Sequence, residues 1–422
     1  MTMDPARFYK NAVVFITGGS GFIGKQLTEK LFRSCHVSKV FLLLRSKKGK
    51  DIRERLDAIL VDPVFDTLRE QQPDFLNKIV AVDGDVAKMR LGIKDTDWKE
   101  LTEEVSVLEF IKVKRKSETS NGILYYKFQV NMIFHVAATT KFDETIRVAT
   151  LINVRGTREV LALGKACKNL RFVLKVLPYY NIKTGFYVHD KLINNWPNTY
   201  TFTKAVAEEL IRTESAGLPI CIVRPAIVCF FFIIYFAVDC KIFTKQKGVT
   251  VPTPKAIYYN YGVDTKNKLL FTTLSLFLHL IPAYTADFVC LLLGKERRFA
   301  KMAKKVYNMC MTMSFFMVNQ WQLKDDNLYQ LYNTLSEQDK AIFNFDIANL
   351  NWTQQLYAWF IGTRKYIVKD GLKDTEYAIR KQKVLRVVHY VFMTLYMYSI
   401  WKLLCFVLSL VWHLYLAIFY RL

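Results

Sequence analysis

The sequence predicts an α/β fold, a doubly wound parallel sheet followed by a helical C-terminal domain and an apolar membrane tail. Three observations predict it. The run Val13 to Ile16 is apolar and largely β-branched, and it leads into Gly18, Gly21 and Gly24 at three-residue spacing. Further apolar, strand-like runs recur between helical patterns as far as residue 228, the alternation that builds parallel sheets. Finally, Val387 to Ile400 and Leu403 to Tyr420 are apolar runs on the scale of a bilayer.

The glycine stretch organises the first half. Gly18 permits a tight turn, Gly21 lets backbone approach a pyrophosphate, and Gly24 lets the next helix lie against the strand with its N-terminal amides facing the anion. Lys25 to Phe32 continues at helical spacing, as a Rossmann-type turn requires. Lys39 to Arg45 is then a continuous apolar strand that ends in a cation. An acidic residue there would suit a ribose 2′-hydroxyl, whereas an arginine suits a 2′-phosphate. Arg45, followed by Ser46-Lys47-Lys48-Gly49-Lys50, therefore favours NADPH; a solvated basic loop is the alternative.

Residues 51 to 78 read as helical and charged, and Lys78 to Asp83 as another strand. Asp85 follows it, placed either to contact an adenine or simply to form the turn. Met132 to Ala138 is a fourth strand whose small final residues, Ala137 and Ala138, let a flat nicotinamide ribose approach the backbone. Asn153 is expected at the start of a helix that runs to Leu163. Tyr200 and Lys204, one helical turn apart, share a helix face. An ammonium beside a phenol stabilises phenolate and makes the tyrosine a better acid–base group. Ile222 to Val228, with Arg224, is a further strand.

Composition narrows the partners. The net charge of +23, from 60 Lys+Arg against 37 Asp+Glu, suits phosphorylated cofactors, coenzyme A thioesters or acidic lipid. No zinc-finger spacing, RNA-binding aromatic signature or DNA-reading helix is present, which argues against nucleic acid. The eight cysteines show neither close pairs nor metal-ligand spacing and read as reduced thiols. The first ten residues have no long apolar core and no secretory signal.

Thr17 to Gly24, the Tyr200-x-x-x-Lys204 pair and Arg224-Pro225 resemble an extended short-chain dehydrogenase/reductase. Pro197 to Ala205, His135 to Asp143 and Leu42 to Gly49 are more specifically similar to the alcohol-forming fatty acyl-CoA reductases, above all the insect type. Phe343 to Asp346, Asn351-Trp352 and Ile361 to Tyr366 are similar to that family's C-terminal domain. The resemblance covers roughly 10–107, 131–228 and 251–370. It implies that a long-chain fatty acyl-CoA accepts hydride from NADPH, expels coenzyme A, and accepts a second hydride to become a primary alcohol. Tyr200 would protonate the alkoxide, Lys204 would hold the nicotinamide ribose, and Asn153 would orient the lysine through a water. The resemblance also sets Thr17, Gly18, Gly21, Phe22, Ile23, Gly24, Arg45, Asp85, Ala137, Lys204 and Arg224 around the cofactor. It implies no metal.

Four departures from the family pattern bear on this. Where the family carries a Ser-Thr pair at a strand end, this chain has Val176 and Leu177. The stretch from Tyr180 to Asn195 is shorter than the family's substrate-side insertion. Leu108 to Gln129, with its basic Lys112 to Lys116, interrupts a strand. Cys229 to Cys240 is a twelve-residue apolar run, too short for a span of about 20 residues. The third and fourth join family-like sequence abruptly and read as translated intron. The domain expectation is an NADP-binding reductase domain over 1–228 with an atypical 108–130 insertion. An apolar linker over 229–250, a helical domain over 251–370, and a basic flank with membrane tail over 371–422 complete it.

Leu269 to Leu293 is apolar but holds His279, Pro282 and Asp287, and so reads as a buried helical pair. The tail, behind Arg380 to Arg386, reads as one tilted span or a hairpin, with the reductase domain cytosolic. A peroxisomal or endoplasmic reticulum membrane fits such a tail anchor. Two further functional readings stand beside the reductase: a membrane-anchored nucleotide-binding pseudoenzyme or defective product, and a sterol-type dehydrogenase of the same fold.

Overall fold

A computed structural model describes residues 8–46, 49, 51–102, 106–107, 126–127, 130–142, 144–176, 196, 198–225, 252–256, 259, 265–319 and 324–419. The chain divides into two compact units, residues 1–227 with 301–345, and residues 228–300 with 346–422.

The first unit is built on six strands: β1 (Val13–Thr17), β2 (Lys39–Leu44), β3 (Ile79–Asp83), β4 (Met132–His135), β5 (Phe172–Val176) and β6 (Ile220–Val223). Their order is β3-β2-β1-β4-β5-β6 and every pairing is parallel. This is the Rossmann arrangement, whose strand order reverses between β1 and β4, so that a crevice opens beyond their carboxyl ends. The two central strands are apolar on both faces because both faces are covered. Val14, Ile16, Val40 and Leu42 bury against Leu31 and Phe32 of α1 (Phe22–Cys35) on one side. Val13, Phe15, Phe41 and Ile133 bury with Val160 and Leu163 on the other.

Local differences from the sequence reading have local causes. Residues 51 to 78 are not one helix. They give α2 (Ile52–Leu60) and shorter turns, because Pro63 and Pro73 each open a new 3₁₀ segment. Asn153 does not start a helix. It lies inside α3, which runs through Ile146–Thr150, a π-turn over Leu151–Arg155, and Gly156–Ala166. Ser106–Val107 and Tyr126–Lys127 pair antiparallel in a two-residue ladder. Of the expected interruption from Leu108 to Gln129, all but Tyr126–Lys127 lies outside the described residues, as do Leu177, the Tyr180 to Asn195 stretch and Cys229 to Cys240. Thr199–Glu214 forms α4, whose first turn is capped by Asn198 accepting from the Thr201 amide.

In the second unit, Lys268 to Leu292 forms one continuous helix, α5. A buried pair was expected there, yet only Ser275 and Asp287 are buried in it. A π-turn at Leu276–Leu280 immediately precedes Pro282 and absorbs the missing donor, so the helix does not break into two. Asp287 accepts from the amides of Arg298, Phe299 and Ala300, at the start of α6 (Phe299–Val318). The tail is α7 (Thr375–Phe419), a single 45-residue helix that continues through Trp401-Lys402. It reaches about 68 Å at the α-helical rise, more than twice a hydrocarbon core of about 30 Å. By length and composition, α5 and α7 are apolar enough to cross a membrane.

Candidate functional site

The glycine turn closes β1 against the first turn of α1. Gly18 has a φ of +77°, and a Cβ there would lie 2.6 Å from the amide nitrogen of Ala137. Only glycine fits, because the end of β4 is pressed against this turn. Gly24 is equally confined, since its Cβ would stand 2.3 Å from the Gly18 carbonyl oxygen. Gly21 is looser, meeting only that same oxygen at 3.2 Å. It is the N-cap of α1 and offers no side-chain oxygen to the helix amides. These features fit a dinucleotide pyrophosphate: backbone that can be approached closely, and a helix N-terminus open to an anion. Phe22, half exposed, and Ile23 start that helix.

At the far end of the crevice, Arg45 follows β2 and Asp85 follows β3. Their side chains form an ion pair at 3.7 Å, with Arg45 still 56% exposed. Asp85 also shapes its own turn, accepting from the Ala87 amide at 3.0 Å. The charge of Arg45 is only weakly engaged by this exposed pair.

Beyond the carboxyl ends of β4 and β5, α3 and α4 pack on one another. Asn153, fully buried in the π-turn, accepts from the Thr139 amide at 3.0 Å and donates to the Thr203 hydroxyl at 2.9 Å. Thr203 in turn donates to the Thr199 carbonyl at 2.9 Å. π-turns aim side chains that a regular helix would place elsewhere. Here the turn delivers Asn153 to the residue beside Lys204. Lys204 is buried, its Nζ donates to the Val176 carbonyl at 3.4 Å, and it stands 5.8 Å from the centroid of the Tyr200 ring. Burial brings its pKa down to about 7. The Tyr200 ring meets Phe142 at 5.7 Å between centroids, and Phe142 meets Phe316 of α6 at 5.7 Å. Arg224 is taken up by Glu208 of α4, to which it donates twice, and so holds the end of β6 against α4.

Sequence reading missed three buried polar residues. His135 ends β4, 1% exposed, with its Nδ1 2.6 Å from the Thr17 hydroxyl and its Nε2 3.3 Å from the Thr157 hydroxyl. Thr157 donates to the Asn153 carbonyl at 2.6 Å. Lys175, in register with His135 across β4 and β5, is wholly buried and its Nζ has no hydrogen-bond partner among the described residues. Burial first, then the Lys204 charge, holds its pKa well below the usual lysine value. For His135 and Lys175 the signal was present in the sequence as polar residues inside otherwise apolar strands, whereas Thr157 lies in α3. Chemically, the assembly pairs a phenol and an amine beside a nucleotide crevice, as proton transfer coupled to hydride addition requires. No cluster of His, Cys, Asp or Glu among the described residues could hold a metal ion.

Two family profiles, each described as male sterility protein, match the chain. One, an NAD-binding profile, covers residues 16–109 and 126–237, and the other covers 278–370. The first resumes only at 126, so the basic stretch between its two segments has no counterpart in it. The fatty acyl-CoA reductase wat of Drosophila melanogaster is 26% identical over 486 residues, covering 91% of this chain and 89% of that one. Fatty acyl-CoA reductase 1 of Mus musculus is 26% identical over 500 residues, covering 94% and 92%. Because 91% of 422 residues spreads over 486 aligned positions, roughly a hundred of those positions have no counterpart here. Among solved structures, a thiolation-reductase di-domain from an archaeal non-ribosomal peptide synthetase is 16% identical, covers 85% of this chain and 76% of its own, and gives a TM-score of 0.41.

Proposed function

The chain belongs to the male sterility protein family, that of the fatty acyl-CoA reductases, and from that premise we propose that it reduces long-chain fatty acyl-CoA to the primary alcohol with NADPH. The observation that carries this reading is that Lys204 of α4 stands 5.8 Å from the centroid of the Tyr200 ring and donates to the Val176 carbonyl at the carboxyl end of β5. Arg45 at the end of β2 supports NADPH over NADH.

A bound NADPH would supply one hydride, and a second NADPH, bound after the oxidised dinucleotide leaves, would supply the other. The thioester carbon accepts one hydride and releases the coenzyme A thiolate, leaving an aldehyde; a second hydride to that carbon leaves an alkoxide. Tyr200 gives the alkoxide its proton, and Lys204 beside the ring favours the phenolate that remains. Asn153 orients this pair through Thr203. Phe142 against Tyr200, with Phe316 against Phe142, forms an apolar wall suited to an acyl chain.

One observation favours a second reading, a nucleotide-binding protein of weak turnover. Val176 stands at the strand end next to Lys204 and has no hydroxyl to polarise the carbonyl. A missing donor of that kind costs about 10²–10³ in rate. The deciding experiment incubates the protein with NADPH and radiolabelled long-chain acyl-CoA. Labelled alcohol supports the reductase; NADPH binding without product supports the second reading. For the membrane, the reading is a tail anchor formed by the exposed apolar part of α7, with the reductase unit in the cytosol. A version lacking 387–422 is then expected in the soluble fraction after carbonate wash, and its persistence in the membrane pellet would count against the anchor.

A further inference from the structure

We propose that His135 is a positioning residue that joins the glycine turn to Asn153 through a directed chain of buried hydrogen bonds. The inference rests on the reading that this turn seats a dinucleotide and that Asn153 and Lys204 serve its chemistry.

Each bond in the chain has only one possible sense. The Thr157 hydroxyl has one hydrogen, and it lies on the Asn153 carbonyl at 2.6 Å. Towards His135, 3.3 Å away, its oxygen can therefore only accept, so Nε2 carries a hydrogen. The ring is kept neutral, first by burial and then by the charges of Lys175 and Lys204. Nδ1 is therefore bare and accepts from the Thr17 hydroxyl at 2.6 Å, while the Thr17 oxygen accepts from the Ala137 amide at 3.3 Å. The groups facing the ring are Thr17 from β1, Thr157 from α3, Lys175 from β5 and Lys204 from α4. Among them only the two lysines can carry a positive charge, and burial lowers the pKa of both.

The ends of the chain lie at the two halves of the site. Thr17 precedes Gly18, whose turn is pressed onto Ala137. Asn153 fixes Thr203, the neighbour of Lys204. A shift of the turn on seating a dinucleotide is carried through an imidazole with one donor and one acceptor to the π-turn of α3. Two substitutions separate these roles. His135→Gln keeps a donor near the Nε2 position and gives up the acceptor for Thr17. His135→Asn keeps an acceptor near the Nδ1 position and gives up the donor for Thr157.

The test uses the full chain in detergent and measures NADPH affinity by nicotinamide fluorescence and alcohol formation at saturating NADPH. For His135→Gln, NADPH binding should weaken about tenfold with turnover kept within about threefold, the scale of one lost buried hydrogen bond. For His135→Asn, turnover should fall about tenfold with NADPH affinity kept. Both variants moving both quantities alike, or neither moving either, would overturn the proposal. If the wild-type chain forms no alcohol, the functional reading fails instead. The inference is then judged on the NADPH affinities and on the ¹⁵N resonances of the ring. Those resonances should show a protonated Nε2 and a bare Nδ1 between about pH 6 and pH 8; a protonated Nδ1 or a charged ring would overturn it.

Discussion

Lys175 stands directly across the parallel ladder from His135, and both side chains are buried at the carboxyl ends of their strands. The histidine has two hydroxyl partners, whereas the lysine has none among the described residues. Burial disfavours the charged form of an amine in that position and adds a desolvation penalty to the native state.

Lys175→Met is therefore expected to stabilise the reductase unit by about 1–3 kcal/mol at neutral pH, since it keeps the volume and removes the unsatisfied polar group. The pH dependence has a definite sign. In the folded protein the pKa lies well below the ordinary 10.5, so unfolding takes up a proton. Stability from this residue is complete above about 10.5 and is lost as pH falls below it. Urea unfolding from pH 10 down to pH 7 should show a loss in the wild type that is shallower in the methionine variant.

The glycines should separate by their surroundings. Gly18→Ala and Gly24→Ala place a Cβ inside backbone atoms, and the first adds a left-handed φ that costs a non-glycine residue about 1–2 kcal/mol. Both should lose NADPH binding and lower the unfolding temperature. Gly21→Ala meets a single oxygen at 3.2 Å and should keep the fold while weakening the cofactor. Differential scanning fluorimetry with and without NADPH reads both effects.

Arg45→Ala should weaken NADPH about tenfold and leave NADH nearly unchanged, because a guanidinium lost from a phosphate costs about 1.5–3 kcal/mol. Asp85→Asn should do the reverse for NADPH, since it releases Arg45 from its 3.7 Å pair. Equal effects on both cofactors would show that Arg45 does not read the 2′-phosphate.

Lys204 has a pKa brought down to about 7 by burial, so the free protein holds its ammonium below that pH and loses it above. The kcat/KM for NADPH, which reports the free protein, should accordingly fall as pH rises through about 7. Lys204→Met should remove this limb and lower turnover about 10²–10⁴-fold. A profile flat from pH 6 to pH 9 in the wild type would exclude the ammonium as the working form.

Much of this site was legible in the sequence because its signals are local. A strand followed by glycines at fixed spacing specifies a turn whatever surrounds it, and two side chains four apart on a helix share a face. The start of α3 was not legible, since its π-turn leaves no mark in the apolar spacing. Nor was the exposure of α5, where Pro282 and Asp287 argued for burial until the π-turn and the three amides held by Asp287 accommodated both. The aromatic neighbour that Phe316 gives Phe142 comes from 174 residues further along the chain.

The sequence by itself determined the strand–helix alternation of a parallel sheet, the glycine turn, the cation at the end of β2 and the Tyr200–Lys204 pair, because each is a pattern written within a few residues. Only the tertiary structure decided that Thr17 meets His135 across 118 positions, and that His135 leads through Thr157 to Asn153. It alone decided that Lys175 is interior. In a parallel sheet the side chains alternate between faces, so which residue lies opposite which depends on register. The register was set only when β1, β4 and β5 closed side by side.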